Sequence, residues 1–258
     1  MFMIEKKVPQ GLGVFYPSVP VQVNYKLIAR RLVGNGISWV AIRAVQQTKK
    51  SSEIPNSPRS LTSFISALTM EGIVVVLWGS VHVAHADTFT QAMVSCATGV
   101  EASWIVSLSS DMLVKLPTPQ LKKILRQISQ IGELVGLQME SVLDPGCLKA
   151  RLDAFCTSAF VVFDFGHMDC SKYYVESVLG GWKHLTPYVI PTITPQIPGY
   201  DEQYFLERIN ALYVRANAPR SMLICDVAGV VHRRSFWLNV RRFLSDTYTQ
   251  DERLAHVG

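Results

Sequence analysis

Three acidic residues, Glu140, Asp164 and Asp226, each lie at or near the end of a short run of β-branched and aromatic residues. Hydrolysis of a glycosidic bond needs two carboxyl groups, about 5 Å apart for retention and about 6.5–9.5 Å apart for inversion of configuration. Adjacent strands are about 4.8 Å apart. If the runs that end near Glu140 and Asp164 are neighbouring strands, these two acids are the candidate catalytic pair.

Arg43 gives the same acids a structural alternative. It is flanked by apolar residues on both sides, Val40 to Ile42 and Ala44 to Val45. A guanidinium removed from water needs a carboxylate to offset the cost of desolvation. Glu140, Asp164 and Asp226 are the available partners, so the sequence leaves both the catalytic and the structural interpretation open.

Four of the six histidines, His82, His85, His167 and His232, follow strand-like segments. The first three of them, together with Asp164 and Asp226, could form a metal site or an acid–base site. The alternative is that they are ordinary loop residues. His82 and His85 are three residues apart with no Glu between them, which does not match a helical zinc motif. We therefore expect no metal and no other cofactor, and we keep His82 and His167, together with Arg43, as candidate binding residues.

Aromatic side chains near the same strand ends could form a platform for a sugar ring. The candidates are Tyr16, Trp78 and Tyr200. Core or rim packing is the alternative role for such residues and the one we favour.

The elements that must position these residues alternate regularly along the chain. Short apolar runs are followed by longer amphipathic runs eight times. The predicted strands are Gly11–Ser18, Trp39–Gln46, Ile73–Ser80, Ser103–Ser109, Leu137–Val142, Ala159–Phe165, Tyr188–Thr194 and Met222–Val227. Two of these runs contain a stretch that is apolar on both faces, as in parallel strands covered by helices: Val74–Leu77 and Phe160–Phe163. The long helix predicted before the fifth strand spans Thr118–Val135.

Eight strand–helix cycles in about 250 residues indicate an α/β fold, a single-domain (β/α)8 TIM barrel. A doubly wound open sheet is the alternative, but it usually carries a glycine-rich turn after its first strand. Here that turn reads Tyr16-Pro17-Ser18-Val19-Pro20. We expect residues 1–10 to be an N-terminal extension, residues 11–248 the barrel and residues 249–258 a polar tail.

Composition limits the classes of function. Hydrophobic residues make up 48% of the chain and charged residues 17%, which excludes an intrinsically disordered protein. The net charge is +5, but no basic stripe is interleaved with stacking aromatics, so nucleic acid is not an expected partner. The apolar runs are too short to span a membrane. Five cysteines without a CxxC motif indicate a reducing compartment, and the absence of a signal sequence at the start predicts synthesis in the cytoplasm.

Segments in the first 110 residues resemble family-25 glycoside hydrolases, the TIM-barrel lysozymes. Gly11-Leu12-Gly13-Val14-Phe15 is similar to their first strand, Gly-Ile-Asp-Val-Ser. The segment from Trp39 to Gln47 is similar to their second strand, Phe-Val-x-Ile-Lys-Ala-Thr-Glu-Gly. The segment from Phe64 to Gly79 resembles the helix and strand that follow.

The acids of that family are missing at the corresponding positions. Its first-strand Asp falls on Gly13, its second-strand Glu on Gln46, and its strand-four Asp-x-Glu on Ser107 and Ser109. A serine hydroxyl cannot act as the general acid that protonates a glycosidic oxygen. The resemblance therefore implies that the lysozyme mechanism is absent.

These observations lead to three functional hypotheses. The first is a catalytically silent, glycosidase-like barrel that serves as a structural or glycan-binding module of a larger assembly, such as a phage tail or virion, with other proteins or further copies of itself as partners. The alternative is a glycoside hydrolase acting on a cell-wall or other polysaccharide with relocated carboxylates at Glu140 and Asp164. The third is a metal-dependent hydrolase that uses the loop histidines.

We expect purified protein to contain no stoichiometric zinc, manganese or iron, because the loop histidines lack ligand spacing. Elemental analysis tests this directly. About one metal ion per chain, lost when His82 or His167 is replaced, would contradict it.

Overall fold

The computed structural model describes residues 9–21, 23–97, 103–108, 117–131, 133–139, 160–164, 189–193 and 221–224. Within these ranges the strands are β1 (Gly11–Tyr16), β2 (Ile37–Gln47), β3 (Ser52–Glu53), β4 (Val74–Val81), β5 (Ser103–Leu108), β6 (Glu133–Met139), β7 (Phe160–Asp164), β8 (Val189–Ile193) and β9 (Ser221–Ile224). The helices are α1 (Tyr25–Gly34), α2 (Pro58–Met70), α3 (Ala86–Ala97) and α4 (Thr118–Ile131), with a 3₁₀ turn at Val83–His85.

Eight of the strands form a closed parallel barrel. The order around the sheet is β1-β9-β8-β7-β6-β5-β4-β2, and β1 also pairs with β2. β3 is a short antiparallel addition to β2. The predicted pairing of the first strand with both the second and the last is confirmed, since Gly13 is opposite Trp39 on one side and Leu223 on the other. The fold is the (β/α)8 barrel that the eight-fold alternation predicts.

Local signals in the sequence fix the ends of the first two helices. Asn24 caps α1 by accepting a hydrogen bond from the Leu27 amide. Ser57 caps α2 in the same way, and Pro58 occupies its first turn, where a missing N–H has no cost. Gly36 and Gly72, both with a φ of 79°, follow the two helices and turn the chain into the next strand.

The boundary between α4 and β6 differs from its prediction. The helix ends at Ile131 rather than Val135, and the strand spans Glu133–Met139 rather than Leu137–Val142. Leu134 and Val135 fit the helical spacing of apolar residues, but pairing with β5 draws Leu134 into the sheet opposite Trp104. Glu140, the residue after Met139, lies outside the described residues. The predicted limits of the extension, the barrel and the tail are not tested by the described residues.

A close contact at the amino-terminal end of the barrel fixes how β1 packs on β2. The Trp39 indole is fully buried against Gly13, where an added Cβ atom would come within 2.1 Å of the ring. The indole nitrogen of Trp39 donates a hydrogen bond to the Gly11 carbonyl at 3.2 Å. A second glycine, Gly79, lets β4 approach α3, since its Cβ would come within 2.5 Å of the Phe89 ring.

No helix among the described residues is both long and apolar enough to cross a membrane.

Replacing Gly13 with Ala is expected to lower the free energy of unfolding by about 1–3 kcal/mol, because the new methyl group overlaps the Trp39 ring. Urea unfolding followed by Trp fluorescence measures this. The matched control is Gly34→Ala, where no atom lies within 4 Å of the added carbon. That change should leave the stability unchanged or raise it by up to about 1 kcal/mol. Equal effects of the two substitutions would contradict the packing argument.

Candidate functional site

Four neutral polar residues occupy one register level at the carboxyl ends of adjacent strands. Gln46 of β2 is opposite Ser80 of β4, Ser80 is opposite Ser107 of β5, and Ser107 is opposite Gln138 of β6. We call this set the polar row. Active sites of TIM barrels lie at this end of the strands. Amides and hydroxyls both donate and accept hydrogen bonds, so the polar row suits a ligand rich in hydroxyl groups.

An aromatic and cationic layer lies directly beneath the polar row. The rings of Phe15 and Trp78 are 4.9 Å apart at an interplanar angle of 57°. The Arg43 guanidinium lies 5.1 Å from the centre of the Phe15 ring, within the range of a cation–π interaction. Its Nη1 donates to Oε1 of Gln46 at 3.1 Å, which links this layer to the polar row. Phe15 and Trp78 are buried and thus form an apolar floor below the mouth of the barrel.

A β-bulge in β2 determines which side chains reach the polar row. The register between β2 and β4 shifts between Arg43 and Val45, so Arg43 is opposite Trp78 and Gln46 is opposite Ser80. Asn56 supports the chain at this point. Its Nδ2 donates to the Arg43 carbonyl at 2.7 Å, and its Oδ1 accepts from the Val19 amide at 2.6 Å. One buried amide therefore joins the bulge to the loop after β1.

Gln47, the residue after the bulged segment, ties the loop after β4 to the β2–β3 hairpin. Its Nε2 donates to the His85 carbonyl at 2.8 Å and to the Ser52 hydroxyl at 3.3 Å. Its Oε1 accepts from the His82 amide at 3.2 Å. Because Gln47 is only 5% exposed, these bonds are shielded from water. Sequence reasoning identified Gln47 only as a polar residue at the end of the second strand, and it did not name Asn56. The only available signal was that a polar amide followed a long apolar strand.

His82 lies partly buried in the loop after β4, at the mouth of the barrel. Its Nδ1 accepts a hydrogen bond from the Ala84 amide at 3.2 Å, which holds the ring against its own loop. The described residues contain no group of three or more His, Cys, Asp and Glu side chains that could hold a metal ion.

The predicted site residues are not all brought together. Arg43 and Trp78 lie in the layer beneath the polar row, and His82 lies on the loop beside it. Tyr16 points the other way, since its ring packs edge-on against Phe64 of α2, with centroids 5.3 Å apart. Tyr16 thus belongs to the core between barrel and helices, where burial raises the pKa of its hydroxyl. The structure does not place it in a sugar platform.

The predicted carboxylates lie at the edge of what is described or beyond it. Asp164 is the last residue of β7 and is opposite Thr192 of β8. β6 and β7 pair in parallel, as the proposed Glu140–Asp164 pair requires. Glu140, Asp226, His167 and the side chain of Asp164 are outside the described residues, as are Tyr200, His232 and Ser109. The ion pair predicted between Arg43 and one of the three acids stays a prediction.

The positions where the lysozyme resemblance expects acids are neutral, and the structure shows what occupies them. The Trp39 ring fills the space beside Gly13. Gln46 accepts a hydrogen bond from Arg43. Ser107 is 1% exposed within the polar row. In the described part of the mouth, none of these positions offers a proton donor for glycoside cleavage.

Comparison with solved structures places the chain among TIM barrels. D-psicose 3-epimerase from Clostridium cellulolyticum H10 superposes with a TM-score of 0.57 and 10% identity, covering 92% of this chain and 98% of that one. A GH113 β-1,4-mannanase gives a TM-score of 0.58 and 10% identity over 84% and 87% of the two chains. The spore cortex-lytic enzyme SleL of Bacillus cereus gives 0.59 and 10% over 90% and 73%.

These identities establish the fold alone. No protein-family model matches the chain, and no curated protein matches it in sequence. The TIM barrel that the sequence predicts is therefore supported by structural similarity, whereas the family-25 resemblance finds no support beyond the shared fold.

Replacing Asn56 with Asp is expected to lower the free energy of unfolding at neutral pH by about 1–3 kcal/mol, because a carboxylate would face the Arg43 carbonyl in place of a donor. Part of the loss should be recovered at mildly acidic pH, where a protonated carboxyl can donate again. Urea unfolding at both pH values provides the measurement.

The control is Asn24→Asp at the exposed cap of α1, where Asp caps a helix as well as Asn does. It should cost little at neutral pH. If Asn56→Asp is as mild as the control, Asn56 does not support the bulge.

Proposed function

We propose that this chain is a glycosidase-like TIM barrel that binds a glycan without hydrolysing it, as a module of a larger assembly. The barrel and its structural similarity to glycoside hydrolases support the first part. The polar row supports the second, because its amides and hydroxyls match the hydroxyl groups of a sugar.

The polar row is the observation that carries this proposal. A hydrolase needs a general acid whose pKa lies near the working pH, and neither a serine hydroxyl nor a glutamine amide meets that requirement. The same groups bind sugar hydroxyls through neutral hydrogen bonds. Phe15 and Trp78 form the apolar floor that most small-ligand sites possess beneath a few convergent polar groups.

The composition of the chain supports an assembly context. A charged fraction of 17% is low for a protein with an entirely free surface and is compatible with partner subunits. We propose synthesis in the cytoplasm and incorporation into a structure such as a phage tail or virion, with descent from a family-25-like barrel.

A glycoside hydrolase with relocated acids is the second candidate. One observation favours it, the parallel pairing of β6 with β7. The residue before Glu140 therefore lies beside β7, the strand that includes Asp164. Carboxyl groups on neighbouring strands can reach the separation that glycoside cleavage requires.

We expect the isolated chain to show no measurable release of reducing sugar from peptidoglycan. Losing a general acid typically costs about 10²- to 10⁴-fold in rate, and losing further carboxylates leaves little activity. Glu140→Gln and Asp164→Asn should leave the background unchanged. Robust hydrolysis that either substitution abolishes, in a protein that remains folded, would establish the hydrolase instead.

Binding is tested separately by co-sedimentation with insoluble peptidoglycan. Gln46→Leu and Ser80→Ala should weaken binding about tenfold together, because each removes a hydrogen-bonding group from the polar row. Gln91→Leu and Ser66→Ala make the same chemical changes on the exposed faces of α3 and α2 and should have no effect. An equal loss of binding in both pairs of variants would contradict the proposed glycan-binding site. A failure of the unaltered chain to bind peptidoglycan would contradict peptidoglycan as the glycan.

A further inference from the structure

The positive charge of this protein is concentrated in its first barrel units. Residues 9–59 contain seven basic residues, and Glu53 is their one acidic residue, a net charge of +6. Since the whole chain carries +5, all other residues together carry −1. The basic excess therefore belongs to α1, β2, the turn that follows β2 and the first turn of α2.

Four of these basic residues lie exposed near the carboxyl ends of β1 and β2. Lys26 is in the first turn of α1, Lys49 and Lys50 are in the β2–β3 turn, and Arg59 is in the first turn of α2. All three segments follow the carboxyl ends of parallel strands, so they share the face of the barrel that carries its mouth. Arg30, by contrast, lies further along α1 and pairs with Glu71 at 3.1 Å.

Aliphatic side chains protrude among these cations. The exposed fraction is 80% for Val21, 47% for Val23, 48% for Leu27 and 41% for Ile54. The loops that carry them are joined by the hydrogen bond from the Val19 amide to Asn56. Val21 and Ile54 are each two residues from that bond, so their Cα atoms lie within about 20 Å of each other. We call these four residues, with Lys26, Lys49, Lys50 and Arg59, the rim surface.

We propose that the rim surface binds a lipid bilayer that contains anionic lipids. Protein interfaces are enriched in Tyr, Trp, Met and Arg and depleted in Lys. The rim surface instead combines Val, Leu and Ile with three lysines, the pattern by which peripheral proteins insert aliphatic groups at a membrane surface and neutralise its charge.

Charge also argues against a second copy of this chain as the occupant. An interface between two identical rim surfaces would bring the same excess of positive charge together, and like charges disfavour such contacts. A bilayer with anionic headgroups offers the opposite charge and, just below it, an apolar layer for the protruding side chains.

The test is co-sedimentation of the full chain with vesicles of phosphatidylcholine, with and without phosphatidylserine. Binding is expected only when phosphatidylserine is present, and it should weaken at high salt, where the Debye length falls from about 10 Å to about 3 Å. Lys49→Gln with Lys50→Gln should weaken binding about tenfold or more. Val21→Ser with Ile54→Ser should weaken it about tenfold by removing apolar insertion.

Matched controls are available on two other helices of the barrel. Lys122→Gln with Lys123→Gln removes the same charge from an exposed part of α4, and Val94→Ser removes an aliphatic side chain that is 51% exposed on α3. Neither should change vesicle binding.

Three outcomes would overturn the proposal. The first is no difference between the two vesicle compositions. The second is an equal loss of binding in the α4 lysine control. The third is binding to poly-glutamate without binding to vesicles, which would assign the rim surface to an acidic protein partner. If the serine substitutions leave vesicle binding intact while the lysine substitutions abolish it, insertion of the aliphatic side chains is refuted.

Discussion

The contact between Asn56 and the bulge in β2 sets the chemistry of the mouth. Strict alternation along a strand that contains Arg43 would place Val45 and Gln47 on the same face as Arg43. The bulge adds one residue, so Gln46 joins that face and meets Ser80, while Gln47 is left to bind the loop after β4. A bulge leaves backbone groups outside the regular ladder, and the buried Asn56 amide supplies a partner for the Arg43 carbonyl. The polar row and the loop of His82 both depend on this single shift.

The sequence could predict the barrel because the barrel repeats. Each strand–helix unit carries the same alternation of apolar patterns, and an error in one boundary does not change the count of units. The boundary at Ile131 shows the limit of this reasoning. Leu134 and Val135 fit the apolar stripe of a helix as well as the apolar pattern of a strand. The segment is a strand because it pairs with β5. The local sequence pattern does not distinguish a helix from a strand where the outcome depends on pairing with another strand.

The candidate site was predicted less completely than the fold, for a related reason. Arg43, Trp78 and His82 were identifiable because polar or aromatic residues near strand ends stand out in the sequence. The bulge has no such signal in the sequence, because Arg43-Ala44-Val45 is typical of a regular strand. Asn56 precedes Ser57 and Pro58, a combination typical of a turn before a helix. The sequence therefore does not indicate that Asn56 contacts residues 13 and 37 positions away. Tyr16 shows the opposite error, because its position near a strand end does not reveal which face of the sheet it occupies.

The bonds of Gln47 have a consequence for motion. One side chain holds the hairpin at Ser52 and the loop at both His82 and His85. Opening either segment alone would leave a buried amide with broken bonds, which is costly. The two segments should therefore open together as one cooperative unit, with a common free energy of local unfolding. Amide protons on both segments would then exchange with solvent at rates set by the same rare event, although 30 or more residues separate them along the chain.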